Sequence, residues 1–101
     1  MTITKINEGG KITLKLDGWL DALSSPELGK ALDEITQAQA LCLDFENVEY
    51  MSSAGLRQIV VCHKKTKELG AEFSVINVNT ETMSIFQLTG LEKKVTVKQK
   101  A

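Results

Sequence analysis

Between Lys11 and Asp17 apolar and polar residues alternate without a break, with Ile12, Leu14 and Leu16 on one side and Thr13, Lys15 and Asp17 on the other. That period of two is the pattern of a strand with one buried face and one wet face. The pair Gly9-Gly10 just before it predicts a hairpin back to a first strand near Thr2 to Ile6, so the front of the chain reads as antiparallel. From Ser25 the period changes. Leu28, Leu32 and Ile35 recur at i, i+4 and i+7, which predicts a helix from about Ser25 to about Ala38 with one buried stripe. Pro26 suits its first turn, and Ser24 with Glu27 has the spacing of a capping box; the two signals differ by one residue on the cap.

The run L-C-L-D-F (residues 41–45) is short and almost wholly apolar, which suits a central strand covered on both faces. Beyond it Leu56, Ile59, Val60 and His63 fall on one helical stripe. Lys64, Lys65 and Lys67 gather where cations complement the helix dipole, and Leu69-Gly70 supplies a stop, giving a helix from about Ser53 to Leu69. A-E-F-S-V-I-N-V is a further strand. Asn79 or Thr80 caps a helix with Glu81 in its first turn, Met83 and Phe86 turned inward and Thr89-Gly90 at its end. A last V-T-V pairs as an edge strand. The order β-β-α-β-α-β-α-β requires crossovers and a mixed, partly parallel sheet in a compact α/β domain.

Composition narrows the function. A chain of 101 residues with 43% hydrophobic and 25% charged residues reads as one ordinary globular domain. A formal net charge of -1 leaves no basic field for a nucleic acid and no polybasic patch for a membrane. The N-terminus lacks the apolar core of a secretory signal and no run is long enough to span a bilayer, so the expectation is a cytoplasmic protein. Cys42 and Cys62 form no C-x-x-C and read as buried free thiols, with no metal or cofactor expected.

The chemistry concentrates in Y-M-S-S-A-G-L-R, residues 50–57. One serine at a helix start satisfies an exposed N–H and is worth about 0.5–2 kcal/mol as a cap. Two adjacent serines exceed that need. Gly55 in the first turn costs about 1 kcal/mol relative to alanine, so the close approach of another surface would explain it. The carboxylates of Asp44, Glu46, Glu49 and Asp21 disfavour a fixed anion there, which makes a small ligand-binding domain using this helix start as an anion site the weakest reading. The same balance suits a reversible switch, because a phosphoserine adds about -1.5 to -2 charges. Catalysis finds no support. Ser53, Asp21, Asp44 and His63 are triad residue types, but His63 lies ten residues along the same helix, about 15 Å from Ser53. Y-M-S-S-A-G also lacks the first glycine of a G-x-S-x-G elbow.

These residues resemble the STAS domains, specifically the bacterial anti-sigma-factor antagonists. The resemblance runs from I-T-L-K-L-D-G-W-L-D through S-P-E-L-G-K-A-L and L-C-L-D-F-E-N-V-E-Y-M-S-S-A-G-L-R to G-A-E-F-S-V-I-N-V and F-Q-L-T-G-L. It implies a single STAS-like domain over residues 1–101, with a mixed four- to five-stranded sheet and helices packed mainly on one face. It also implies a non-enzymatic switch. The unphosphorylated form binds a partner that is both anti-sigma factor and serine kinase, phosphorylation releases it, and a serine phosphatase reverses the change. Aligned on Gly55-Leu56, the acceptor is Ser53, with Ser52 second, standing where relatives often carry an acidic residue. Asp21, Ser52, Ser53, Ala54, Gly55, Leu56 and Arg57 form the docking face. Asp21 and Asp44 supply local electrostatics, and the oligomeric state is a monomer or weak dimer. The alternative is a constitutive STAS adaptor subunit of a transporter or stress-signalling assembly.

Overall fold

The computed structural model describes residues 1–101. Strand β1 (Thr2–Glu8) pairs antiparallel with β2 (Lys11–Leu20), and the pairing of Glu8 with Lys11 leaves Gly9 and Gly10 as a two-residue turn. Both glycines have positive φ, 61° and 91°, as a hairpin turn matched to strand twist requires. Then follow α1 (Ser25–Asp33), β3 (Ala40–Met51), α2 (Ser53–Leu69), β4 (Glu72–Val78) and α3 (Thr80–Thr89). A 3-10 turn at Leu91–Lys93 leads into β5 (Thr96–Gln99).

The sheet order is β1-β2-β3-β4-β5, with every pair after the first parallel. Because the order never reverses, right-handed crossovers carry all three helices to one face. One core results. Leu28 and Leu32 of α1, Ile59 and Cys62 of α2 and Phe86 of α3 join Leu14, Leu16, Leu43, Phe45 and Val75 of the sheet in a single buried cluster.

The other face stays open, which corrects the expectation of a β3 covered on both sides. Leu41 and Leu43 are buried, whereas Cys42 between them is half-exposed, flanked in register by Thr13 and Ser74. The run looked apolar on both sides only because Ala40 and Cys42 are small residues that tolerate a wet face. Cys42 therefore differs from the buried thiol expected, while Cys62 is fully enclosed.

Strand β3 is also longer than L-C-L-D-F. Lys15 pairs with Asp44 but Asp17 with Asn47, and Gly18 pairs with Val48 but Trp19 with Tyr50. Each shift inserts one extra residue in β3. The two bulges change the inward spacing from two to three, so Phe45, Val48 and Met51 all face the core although no alternating pattern connects them. Helix α1 stops at Asp33, shorter than expected, yet Ile35 still reaches the core from the following turn. The capping box does not form. Ser24 is in helical backbone without a side-chain cap bond, because its hydroxyl oxygen accepts the Asp21 N–H at 2.9 Å instead, while its hydrogen goes to the Trp19 carbonyl at 2.6 Å. No helix is long and apolar enough to cross a membrane.

The two thiols should therefore react differently. Burial pushes the Cys62 thiol up to about 12, so its thiolate is scarce at neutral pH. An aromatic disulfide reagent at pH 8 should label Cys42 alone in the folded protein and both thiols in denaturant, read by peptide mass. Fast labelling of Cys62 in the native state would contradict the packing described.

Candidate functional site

At the far end of β2 and β3 the chain builds one compact junction. The Ser52 N–H donates to the Leu20 carbonyl at 2.9 Å, extending the parallel ladder by one bond before α2 begins. Ser52 then turns the chain with extended backbone (φ -86°, ψ 175°), and its Oγ accepts from the Gly55 N–H at 3.3 Å. Its carbonyl accepts the Leu56 N–H at 2.9 Å, the first bond of the helix. Ser52 is thus the N-cap. Ser53 is the first residue of α2, is exposed, and has no side-chain hydrogen bond to the rest of the protein.

Gly55 has an internal cause that the sequence reading missed. It is buried, and a Cβ at this position would run into the Leu20 carbonyl oxygen and come within 2.9 Å of Leu20 Cγ and 3.0 Å of Met51 Cγ. The space expected for an approaching partner is filled by the chain's own β2. Gly55 therefore lies beneath the surface expected to dock a partner and is not exposed on it. Of the other residues expected on that face, Ser53 and Arg57 are exposed, and Asp21, Ser52, Ala54 and Leu56 are half-buried.

Asp21 follows Leu20 directly, so its loop is fixed to the same junction. Its Oδ1 accepts from the backbone N–H groups of Leu23 (3.0 Å) and Ser24 (3.1 Å), closing an Asx turn. The Ser24 N–H is the main cause that holds this carboxyl below its ordinary value of 3.8. The Ser24 hydroxyl, the Leu23 N–H and the chain amino group act in the same direction, and partial burial opposes them. Asp21 is thus a shaped, negative rim of the junction.

Asp44 lies elsewhere. It precedes Met51 by seven strand residues, about 20 Å at the rise of a β-strand. Its Oδ1 accepts from the Glu46 N–H and from Asn77 Nδ2, both at 3.0 Å. Asn77 is the one non-glycine residue with positive φ (59°), at the irregularity where β4 leaves regular pairing with β5. The local electrostatics assigned to Asp44 therefore act on the β4 bend and not on Ser53. His63 is likewise remote from Ser53; its ring stacks on Phe73 with centroids 6.1 Å apart. No three His, Cys, Asp or Glu side chains converge in a way that could hold a metal ion.

Three residues of this end escaped the sequence reading. Trp19 is 56% exposed, Tyr50 46% and Leu23 90%. Trp19 and Tyr50 meet edge to face with centroids 5.4 Å apart, and Trp19 Nε1 donates to Glu49 Oε2 at 3.3 Å. These positions carry a signal in principle, since an outward tryptophan beside a bulge and a leucine in a polar loop are both out of place on a solvated surface.

A comparison with known proteins bears on this junction. The STAS domain model matches residues 2–101. An anti-sigma-B factor antagonist of Staphylococcus aureus (strain NCTC 8325 / PS 47) is 31% identical over 81 residues, covering 78% of this chain and 75% of that protein. The fold is shared with the crystal structure of an anti-sigma factor antagonist from Mycobacterium paratuberculosis, with TM-score 0.86, 24% identity and coverage of 96% and 84%. It is shared less closely with a sulfate transporter family protein from Wolinella succinogenes, with TM-score 0.81, 14% identity and coverage of 93% and 80%.

Two outcomes follow from the junction. Gly55→Ala should lower stability by about 1–3 kcal/mol despite alanine's better helix propensity, because the overlap is with backbone that cannot move aside. Urea unfolding of the variant checks this, and an unchanged midpoint would show that β2 and α2 are not in contact there. Asp21 has a folded-state pKa below 3.8, so its charge contributes stability above that pH, and the contribution is lost as pH falls through the folded value. The stability gap between the wild type and Asp21→Asn should therefore be constant near neutrality and close in acid; a gap that widens on acidification has the wrong sign.

Proposed function

The chain belongs to the STAS domain family, and on that footing we propose that it is an anti-sigma-factor antagonist whose binding is controlled by the charge on Ser53. With Ser53 unmodified it binds an anti-sigma factor that is also a serine kinase. Phosphorylation of Ser53 ends the complex, and a serine phosphatase restores it. The whole of residues 1–101 acts as one non-enzymatic interaction unit in the cytoplasm.

The observation that carries this reading is the division between the two serines. Ser52 Oγ accepts from the Gly55 N–H as helix cap, whereas the Ser53 hydroxyl is exposed at the first position of α2. A phosphate on Ser52 would disturb the cap on which the helix start depends. A phosphate on Ser53 meets the positive end of the α2 dipole, an interaction worth about 0.3–1 kcal/mol, so the fold tolerates it. The added charge is then felt by a docked partner. This supports Ser53 over Ser52 as the acceptor.

The docking face combines Ser53, Ala54, Leu56 and Arg57 of α2 with Ser52 and the Asp21 loop. Leu23 of the Asp21 loop supplies an exposed apolar anchor of the kind that dominates interface energies, while Trp19 and Tyr50 are exposed at the same end of β2 and β3 on the helix-free side of the sheet. The acidic side chains of Asp21 and Glu49 flank this face, so new negative charge on Ser53 adds to a field already unfavourable for a second anion. The shared fold with a transporter family protein favours one other reading, a constitutive adaptor on a transport assembly.

Protein recovered from its native cells should carry phosphate that maps to Ser53 by peptide mass and disappears on phosphatase treatment. Tagged Ser53→Ala should capture a soluble serine kinase from native lysate and Ser53→Asp should capture at least about tenfold less. Absence of phosphate under every growth condition, together with equal capture by the two variants, would overturn the switch. Equal recovery of a transport ATPase with both variants would decide for the adaptor.

A further inference from the structure

We propose that the groove between α2 and the α3 end of the fold binds a small amphiphilic anion, a molecule with a carboxylate or phosphate head and an apolar body. The groove has a volume of about 380 Å³, within the range of small-molecule sites. Leu56, Val60 and Leu91 give it an apolar floor, and Lys64, Lys67 and Lys94 stand around it. No acidic residue lines it.

The lysines are the informative part. In a chain of net charge -1 their convergence is not a by-product of general basicity. Lys64 and Lys67 sit three residues apart on one helix face, a like-charge spacing that disfavours the helix slightly, and Lys94 faces them from beyond the 3-10 turn. The single ion pair within 4.0 Å in the molecule joins the amino terminus to Glu27, so none of the three lysines has a carboxylate partner. His63 lines the groove, and its Nδ1 is buried without a hydrogen-bond partner, a feature the fold itself does not explain.

Three unneutralised cations over an aliphatic floor complement a ligand that is anionic at one end and apolar along its body. The lysine ammonium groups can meet the head while their methylene stems cover the chain. Inorganic phosphate would leave the floor unused, and a neutral alkyl chain would leave the cations unpaired. The groove runs along α2 from Leu56 to Lys67 and shares Leu56 with the proposed docking face, but its polar residues on α2 begin at His63, ten residues beyond Ser53, and the inference does not depend on the phosphorylation switch.

Titration of the isotope-labelled full chain followed by amide NMR tests it, with decanoate, octyl phosphate and inorganic phosphate as probes below micelle-forming concentrations. One or both amphiphiles should give saturable shifts centred on Val60, His63, Lys64 and Gly90, with weaker binding at high salt. Response to decanoate alone identifies a carboxylate ligand, and response to octyl phosphate alone a phosphate ester. The double variant Lys64→Gln/Lys94→Gln changes only exposed side chains, and a wild-type-like spectrum verifies its fold. It should bind at least about tenfold more weakly. No saturable shift with either amphiphile, shifts centred elsewhere, equal binding of inorganic phosphate, or undiminished affinity in the variant would each overturn the proposal.

Discussion

The Leu20 carbonyl is the point on which this end of the molecule depends. It accepts the Ser52 N–H, and the bare Cα of Gly55 packs against it. Together these contacts fix the end of β2, the end of β3 and the start of α2 in one arrangement. The position after Met51 must then turn sharply, which Ser52 does while capping the helix through its own hydroxyl. The next residue is carried outward as the first of α2. Ser53 is exposed while Ser52 before it and Gly55 two residues after it hold the junction.

The two bulges in β3 bring this junction about. A regular twelve-residue strand beside the ten residues of β2 would end out of step with it. One extra residue at each bulge keeps Leu20 opposite Met51 and turns Phe45, Val48 and Met51 toward the core. Bulges also increase local twist and re-aim side chains. Here the strand ends that result carry Trp19 and Tyr50 out to solvent on the side of the sheet away from the helices. The one-sided sheet has a different consequence. With all helices on one face, α2 packs inward through Ile59 and Cys62 and leaves its outer turns free for surface work.

Much of this was legible in the residues. The bounds of α2, the Gly9-Gly10 hairpin, a cap of α3 at one of the two positions expected (Asn79 rather than Thr80) and the element order all follow from local chemistry that the tertiary structure leaves intact. What was not legible depended on partners distant in sequence. Bulge positions are set by pairing with β2, so the inward turn of Val48 and Met51 had no periodic trace. Ser24 and Glu27 have capping-box spacing, but the Asp21 N–H takes the serine oxygen that the cap would need, and the Trp19 carbonyl takes its hydrogen. Asp44 appears in the sequence beside other carboxylates near the serines, yet the strand carries it away to hold Asn77. Gly55 was recognisable as anomalous; that its neighbour is Leu20, thirty-five residues earlier, was not.

The central claim is that one serine holds the helix and the other is free to carry charge without disturbing the fold. Urea unfolding of Ser52→Ala and Ser53→Asp measured side by side tests it most directly. Loss of the cap should cost Ser52→Ala about 1 kcal/mol, whereas Ser53→Asp should unfold at the wild-type midpoint or above it, because an acidic side chain in the first turn complements the helix dipole. A Ser53→Asp protein destabilised as much as Ser52→Ala would contradict the account.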